Sequence, residues 1–153
     1  GTTYSWGIPT VSNASLTGGQ SNNNQASIYG TLLNSTNIVR TAVYIVIPKS
    51  VDCGINTSFT VTVFVNPKAV ISAISTAVCS GVQFTVNPAD ILNGIVPVGT
   101  RYSWDVPQMS SGSLTGGQSV SLASSIYGTL NSTANFAQTA VYTFCKWRSK
   151  CIR

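Results

Sequence analysis

The sequence contains two copies of one pattern, separated by 98 residues. Between residues 1–44 and residues 99–142, 25 positions are identical, and no gap is needed to align them. A period of about 100 residues is too long for one turn of a solenoid and fits one Ig-sized β-sandwich per repeat. The shared runs include Ser-Leu-Thr-Gly-Gly-Gln-Ser, which begins at Ser15 and Ser113, and Ser-Ile-Tyr-Gly-Thr-Leu, which begins at Ser27 and Ser125.

The repeat is out of phase with the ends of the chain. Residues 79–98, which precede the second copy, have no counterpart ahead of the first copy, and residues 54–70 have almost none after the second. We therefore expect about one and a half units of the 98-residue period. The first Ig-like unit, residues 1–69, would lack its leading strands, and the second, residues 70–153, would lack its closing strand.

The residue types predict an all-β chain. Val, Ile, Thr and Tyr recur in short runs that Gly, Pro and Asn interrupt, which is typical of strands and turns. Hydrophobic residues make up 43% of the chain and charged residues 7%, a balance that argues against disorder. Residues 40–47 and 139–144 are predicted to be corresponding strands. The alternation over residues 58–65 predicts a strand with Phe59, Val61, Val63 and Val65 on one face.

The residues that most enzymes use as general bases are missing. The chain has no His and no Glu, and its three carboxylates lie at different positions of the repeat: Asp52, Asp90 and Asp105. A nucleophilic Ser or Cys would have no base other than Lys or Tyr. Calcium sites need clustered carboxylates and zinc sites need closely spaced Cys or His. We therefore predict no catalytic residue, no metal site and no cofactor.

The charge distribution disfavours nucleic acid and membrane insertion. The formal net charge is +5, but four of the eight basic residues fall within residues 146–153. A nucleic-acid surface needs a basic stripe across the folded body, whereas a basic tail is usually a solvated end. The sequence also has no run of 18 apolar residues, the length of a membrane-spanning helix.

Several motifs together resemble the PKD-like, Ig-fold repeats of Bacteroidota surface proteins. They are Cys-Ser-Gly at 79–81, Phe-Thr-Val at 84–86, Gly-Thr-Arg-Tyr-Ser-Trp at 99–104, Leu-Thr-Gly-Gly at 114–117 and Thr-Ala-Val-Tyr at 139–142. The resemblance implies a secreted, cell-surface protein used in adhesion, gliding or extracellular filaments, with no catalytic residues. The sequence departs from the pattern at residues 143–150, where a Pro-containing strand end is expected.

The four cysteines fit an exported protein in an oxidising setting. Cys53 and Cys151 occupy the same repeat position, which in a complete unit would face Cys79. We favour a Cys79–Cys151 disulfide, whose loop of about 70 residues would stabilise the fold by about 4 kcal/mol in the chain-entropy model. Cys53 would then pair with a neighbouring chain or remain a free buried thiol, and the two alternatives have equal weight. Cys145 is expected to be an ordinary strand residue.

The aromatic residues have two interpretations. Trp6 and Trp104, each after Tyr-Ser, could stack on sugars, but a Trp at this place in a sandwich is more often the core plug between sheets. Tyr44 and Tyr142 are predicted to be packed, with the hydroxyl group bonded to backbone. Trp147, in the basic tail, is the expected exposed aromatic.

Three functions remain open at this point. The chain could be a structural or adhesive repeat module, a filament subunit assembled head-to-tail by β-strand donation, or a carbohydrate-binding module that uses exposed aromatics. The expected partners are copies of the chain or adjacent repeats, together with surface glycans or proteins.

Overall fold

The computed structural model describes residues 1–52, 54–55 and 57–144. The chain is all-β, as predicted, and the architecture is that of an Ig-like β-sandwich. It divides into two compact units, Gly1–Val70 and Ile71–Arg153. Among the described residues there is no helix long and apolar enough to cross a membrane.

The first unit is built around one long central strand. Its strands are β1 (Thr2–Trp6), β2 (Thr10–Val11), β3 (Leu16–Gly18), β4 (Asn22–Gln25), β5 (Leu32–Asn34), β6 (Arg40–Ser50), β7 (Gly54–Ile55) and β8 (Phe59–Val65). In the main sheet β6 pairs with β1, β2, β7 and β8, and β4 extends the sheet beyond β1. A separate antiparallel pair joins β3 to β5. Because β6 has neighbours on both edges, it lies at the centre of the unit.

The core of the first unit follows from the period of two along β6. Ala42, Tyr44 and Val46 are buried and pack with Trp6 and Leu16. The predicted alternation of β8 is present in Val61, Val63 and Val65, which are partly buried against this cluster. Phe59, the fourth residue predicted on this face, is 42% exposed at the start of the strand, and its ring packs edge-to-face with Tyr4, with the ring centroids 6.4 Å apart.

The second unit repeats the same pairing 98 residues later. Its strands are β9 (Val70–Ile71), β10 (Gln83–Val86), β11 (Gly94–Ile95), β12 (Tyr102–Trp104), β13 (Gln108–Met109), β14 (Leu114–Gly116), β15 (Val120–Ala123), β16 (Ile126–Ser132) and β17 (Ala140–Val141). Trp104 pairs with Val120 as Trp6 pairs with Asn22, and Gln108 pairs with Val141 as Thr10 pairs with Val43. The sequence repeat is therefore a repeat of strand register.

The prediction of a strand over residues 139–144 is wrong in its length. The strand β17 covers only Ala140–Val141, and Phe144 forms an isolated bridge to Trp104. In the first unit the corresponding stretch of β6 is held by β8 along its whole length, from Arg40 to Val46. No described residue plays the part of β8 in the second unit, so the strand stays short.

Each unit has the same irregularity next to its tryptophan. The pairing of β1 with β4 slips between Tyr4 and Trp6, and that of β12 with β15 slips between Tyr102 and Trp104. The residue that absorbs the slip has a positive φ, 52° at Asn24 and 56° at Leu122. Its amide donates to a serine hydroxyl at 3.0 Å in both units.

The two slip residues differ in how well they suit this backbone. Asparagine tolerates the left-handed region, whereas leucine is strained there by about 1–2 kcal/mol. We expect Leu122→Asn to raise the free energy of unfolding of the second unit by about 1 kcal/mol, measured by urea denaturation. Leu92→Asn is the control, since Leu92 is also an exposed leucine but has no positive φ. Equal effects of the two substitutions would contradict the strain at Leu122.

Candidate functional site

The carboxylates do not form a reactive group. Asp52 and Asp105 are exposed, and Asp90 Oδ1 accepts a hydrogen bond of 2.9 Å from the amide of Val96. Among the described residues, no three side chains of the metal-ligating types come together. The role that the structure shows for Asp90 is to hold the loop around β11.

Both predicted core tryptophans are buried. Trp6 is 4% exposed and Trp104 is 2% exposed. Each indole nitrogen donates to a backbone carbonyl 14 residues away, Trp6 to Gln20 at 2.9 Å and Trp104 to Gln118 at 3.0 Å. Because the ring faces are covered, these two residues offer no platform on which a sugar could stack.

The tyrosines at the repeat positions of Tyr44 and Tyr142 pack between pairs of glycines. A Cβ atom added at Gly19 or Gly30 would lie 2.8 or 3.1 Å from the hydroxyl oxygen of Tyr44. In the second unit the corresponding distances to Tyr142 are 2.9 Å from Gly117 and 2.7 Å from Gly128. The Gly-Gly and Tyr-Gly dipeptides shared by the two copies therefore make room for a tyrosine hydroxyl, a role that the sequence analysis missed. The signal was their identity in both copies.

The predicted hydrogen bonds of these hydroxyls to backbone are wrong. The buried hydroxyls of Tyr44 and Tyr142 have no hydrogen-bond partner among the described residues. One of the two glycines at each hydroxyl also lies against a proline ring, Pro9 beside Gly19 and Pro107 beside Gly117. Burial raises the pKa of both tyrosines, because the charged phenolate would be poorly solvated there.

Of the four cysteines, the structure describes only Cys79. Cys79 is exposed, and its thiol has no disulfide partner among the described residues. Its predicted partner Cys151 lies outside the described residues, as do Cys53 and Cys145, so the disulfide stays a prediction. The same holds for the predicted exposure of Trp147.

The second unit has an open sheet edge where the first unit is closed. In the first unit β8 pairs with β6 from Arg40 to Val46 and covers the core. The corresponding residues 138–144 have no partner on that side within the described part of the chain. As a result Val46 is fully buried, whereas its counterpart Phe144 is 46% exposed. We call residues 139–144 the closing edge.

The first unit has an open edge where the second unit is closed. In the second unit β10 pairs with β16 through Ile126 and the three residues that follow it. The identical residues 28–31 of the first unit form no strand, and the described residues supply no partner to them on that side. Ile126 is accordingly buried, whereas Ile28 is only partly buried. We call residues 28–31 the leading edge.

The comparison with protein families supports the resemblance for the first unit. The model of the PKD-like domain matches residues 1–69, which agrees with the first compact unit, Gly1–Val70. The match is to the domain and does not extend to a Bacteroidota surface protein. Domains of this kind are typically extracellular and generally non-catalytic. No curated protein and no solved structure matches the chain.

Gly19, which lies beside the Tyr44 hydroxyl, is expected to be sensitive to substitution. Gly19 has a φ of +75°, and an added Cβ would lie 2.6 Å from Pro9 Cγ as well as close to the Tyr44 hydroxyl. We expect Gly19→Ala to lower the free energy of unfolding of the first unit by about 2–5 kcal/mol, from backbone strain and overpacking. Urea denaturation measures this. Gly7→Ala is the matched control, because nothing lies within 4 Å of its added Cβ, and it should be close to neutral.

The buried tyrosines also predict the response to alkaline pH. Burial raises the pKa of Tyr44, Tyr102 and Tyr142 above 10.0. Above pH about 10 the unfolded chain loses these protons while the folded chain keeps them, so the free energy of unfolding falls as pH rises. Denaturation curves at increasing pH measure the slope, which Tyr44→Phe should reduce. A free energy of unfolding that stays constant through this range would contradict the prediction.

Proposed function

We propose that the chain is a non-catalytic, extracellular structural or adhesive repeat protein. In this proposal it associates with copies of itself or with neighbouring repeats through the sheet edges of its units. The observation that carries the proposal is the reciprocity of the two units. Within the part of the chain that the structure describes, one unit has the closing strand β8 and an open leading edge, and the other has the leading strand β10 and an open closing edge. Each unit thus shows, in place, the kind of flanking strand that would complete the other.

The chemistry of the open edges supports association. An unpaired strand presents a row of N–H and C=O groups, and natural proteins usually protect such edges with charged residues or proline. Neither the leading edge, Ile-Tyr-Gly-Thr, nor the closing edge, Thr-Ala-Val-Tyr-Thr-Phe, contains a charged residue or a proline. Both are therefore suited to accept a further strand.

Head-to-tail assembly is the form of association that these edges favour. The two open edges differ in sequence and lie on different units, so a contact that uses both is heterologous. Heterologous contacts that do not close into a ring produce fibres. Strand addition supplies main-chain hydrogen bonds for affinity and alternate side chains for specificity. The proposed partners are copies of this chain or neighbouring repeats, and the proposed location is the cell surface.

The absence of a reactive constellation supports a non-catalytic role. The chain has no His or Glu, and the described Asp residues are dispersed. The alternative of carbohydrate binding has less support, because Trp6 and Trp104 are buried and Trp147 lies outside the described residues. Binding of the chain to a glycan array, lost on substitution of one exposed aromatic residue, would favour that alternative.

Edge association predicts assembly that depends on concentration. We expect the mass measured by sedimentation velocity to rise with concentration, and filaments to be visible by negative-stain electron microscopy. A charge on an edge strand blocks pairing, so Tyr29→Lys on the leading edge and Val141→Lys on the closing edge should keep the chain monomeric.

The matched control places the same charge on a strand with no open edge. Ile45 is exposed on the face of β6, where β8 pairs with it through Thr60. Ile45→Lys should assemble like the unsubstituted chain. A chain that stays monomeric at high concentration and shows no filaments would contradict the proposed assembly.

A further inference from the structure

We propose that the leading edge, residues 28–31, accepts an antiparallel strand of the Gln-Phe-Thr-Val type from a neighbouring repeat. The inference rests on the proposed function and names the partner strand, its register and the residue that selects it. The selecting feature is Gly30, which leaves room for an aromatic side chain above Tyr44.

The second unit shows such a strand in place. Strand β10 runs antiparallel to β16, with Phe84 opposite Gly128 and Val86 opposite Ile126. The rings of Phe84 and Tyr142 pack edge-to-face, with their centroids 5.5 Å apart. A Cβ added at Gly128 would lie 3.1 Å from Phe84 Cε1, so a larger residue there would displace the phenyl ring.

The first unit offers the same residues without the strand. Residues 28–31 are identical to residues 126–129. Around Gly30 the only atoms within 4 Å of an added Cβ belong to Tyr44, at 3.1 and 4.0 Å, among the described residues. The space that Phe84 fills in the second unit therefore has no described occupant in the first.

The register of the missing strand follows from the 98-residue offset. The pairs of β10 and β16 transfer to the first unit as Gln opposite Thr31, Phe opposite Gly30, Thr opposite Tyr29 and Val opposite Ile28. The turn before β10 adds a further anchor, since Gly81 donates to the carbonyl of Leu130 at 2.8 Å. The position that corresponds to Leu130 is Leu32, at the start of β5.

The proposed donor is the leading strand of a neighbouring repeat, because the one strand of this type among the described residues is already paired. The sequence contains the Gln-Phe-Thr-Val pattern once, at residues 83–86, and there it is paired with β16. Moving β10 from one copy to another would open one unit for each unit that it closed. A net increase in the number of completed units requires the leading segment of a neighbouring repeat that is not already paired.

A peptide can stand in for that donor. The probe is residues 80–88, Ser-Gly-Val-Gln-Phe-Thr-Val-Asn-Pro, added to the full chain and followed by hydrogen exchange with mass spectrometry. We expect dose-dependent protection of a fragment covering residues 28–31. The fragment covering residues 126–129 should not change, because it is already paired with β10.

Two variants test the role of the aromatic pocket. The peptide with Phe84→Ala should bind at least about tenfold more weakly, as expected for loss of a buried aromatic anchor. In the full chain, Gly30→Val should abolish the protection by filling the pocket. Gly112→Val is the matched control, because nothing lies within 4 Å of an added Cβ at Gly112. Unchanged exchange in β6 verifies that the Gly30→Val chain is folded.

The outcomes separate this inference from the proposed function. No protection at residues 28–31, or equal binding of the two peptides, would overturn the inference. If the chain nevertheless assembled with concentration, the edge association would stand and its acceptor would be elsewhere. If the chain stayed monomeric but bound the peptide in the expected register, the acceptor site would be supported and self-assembly contradicted.

Discussion

The packing of one tyrosine between two glycines is the constraint on which the rest of each unit depends. The Tyr44 hydroxyl lies so close to Gly19 and Gly30 that an added Cβ would come within 2.8 and 3.1 Å of it, and the ring joins the cluster around Trp6. In the second unit the Tyr142 ring packs against Trp104 at 6.3 Å. The glycines in the turn after β3 or β14 pack against the tyrosine of the central strand. The tryptophan of the neighbouring strand packs in the same cluster as this tyrosine. Close packing of this kind penalises any change of volume.

The two units are natural controls for each other. They share the tyrosine, the tryptophan and the slipped pairing beside it, but they differ in which flanking strand is present. Where β8 pairs with β6, the central strand has 11 residues and its inward face is buried. Where the described chain has no such strand, β17 has two residues and Phe144 is half-exposed. The difference measures what a flanking strand contributes, which is main-chain hydrogen bonds together with cover for the core.

Most of the fold could be predicted from residue type and spacing. The alternation of Val61, Val63 and Val65 predicted the inward face of β8, because a strand turns successive side chains to opposite faces. The details that could not be predicted depend on residues distant in the chain. Phe59 is exposed at the start of the strand, and the hydroxyl of Tyr44 has no hydrogen-bond partner among the described residues where a backbone partner was expected.

The sequence by itself determined the 98-residue repeat, the all-β class and the lack of the usual catalytic bases, because these are properties of composition and local pattern. The tertiary structure alone decided which copies of identical residues are paired. Residues 28–31 and 126–129 have the same sequence, yet only the second set forms a strand, because β10 lies beside it. A strand is completed by its neighbour, so identical residues present an open edge in one unit and a closed sheet in the other.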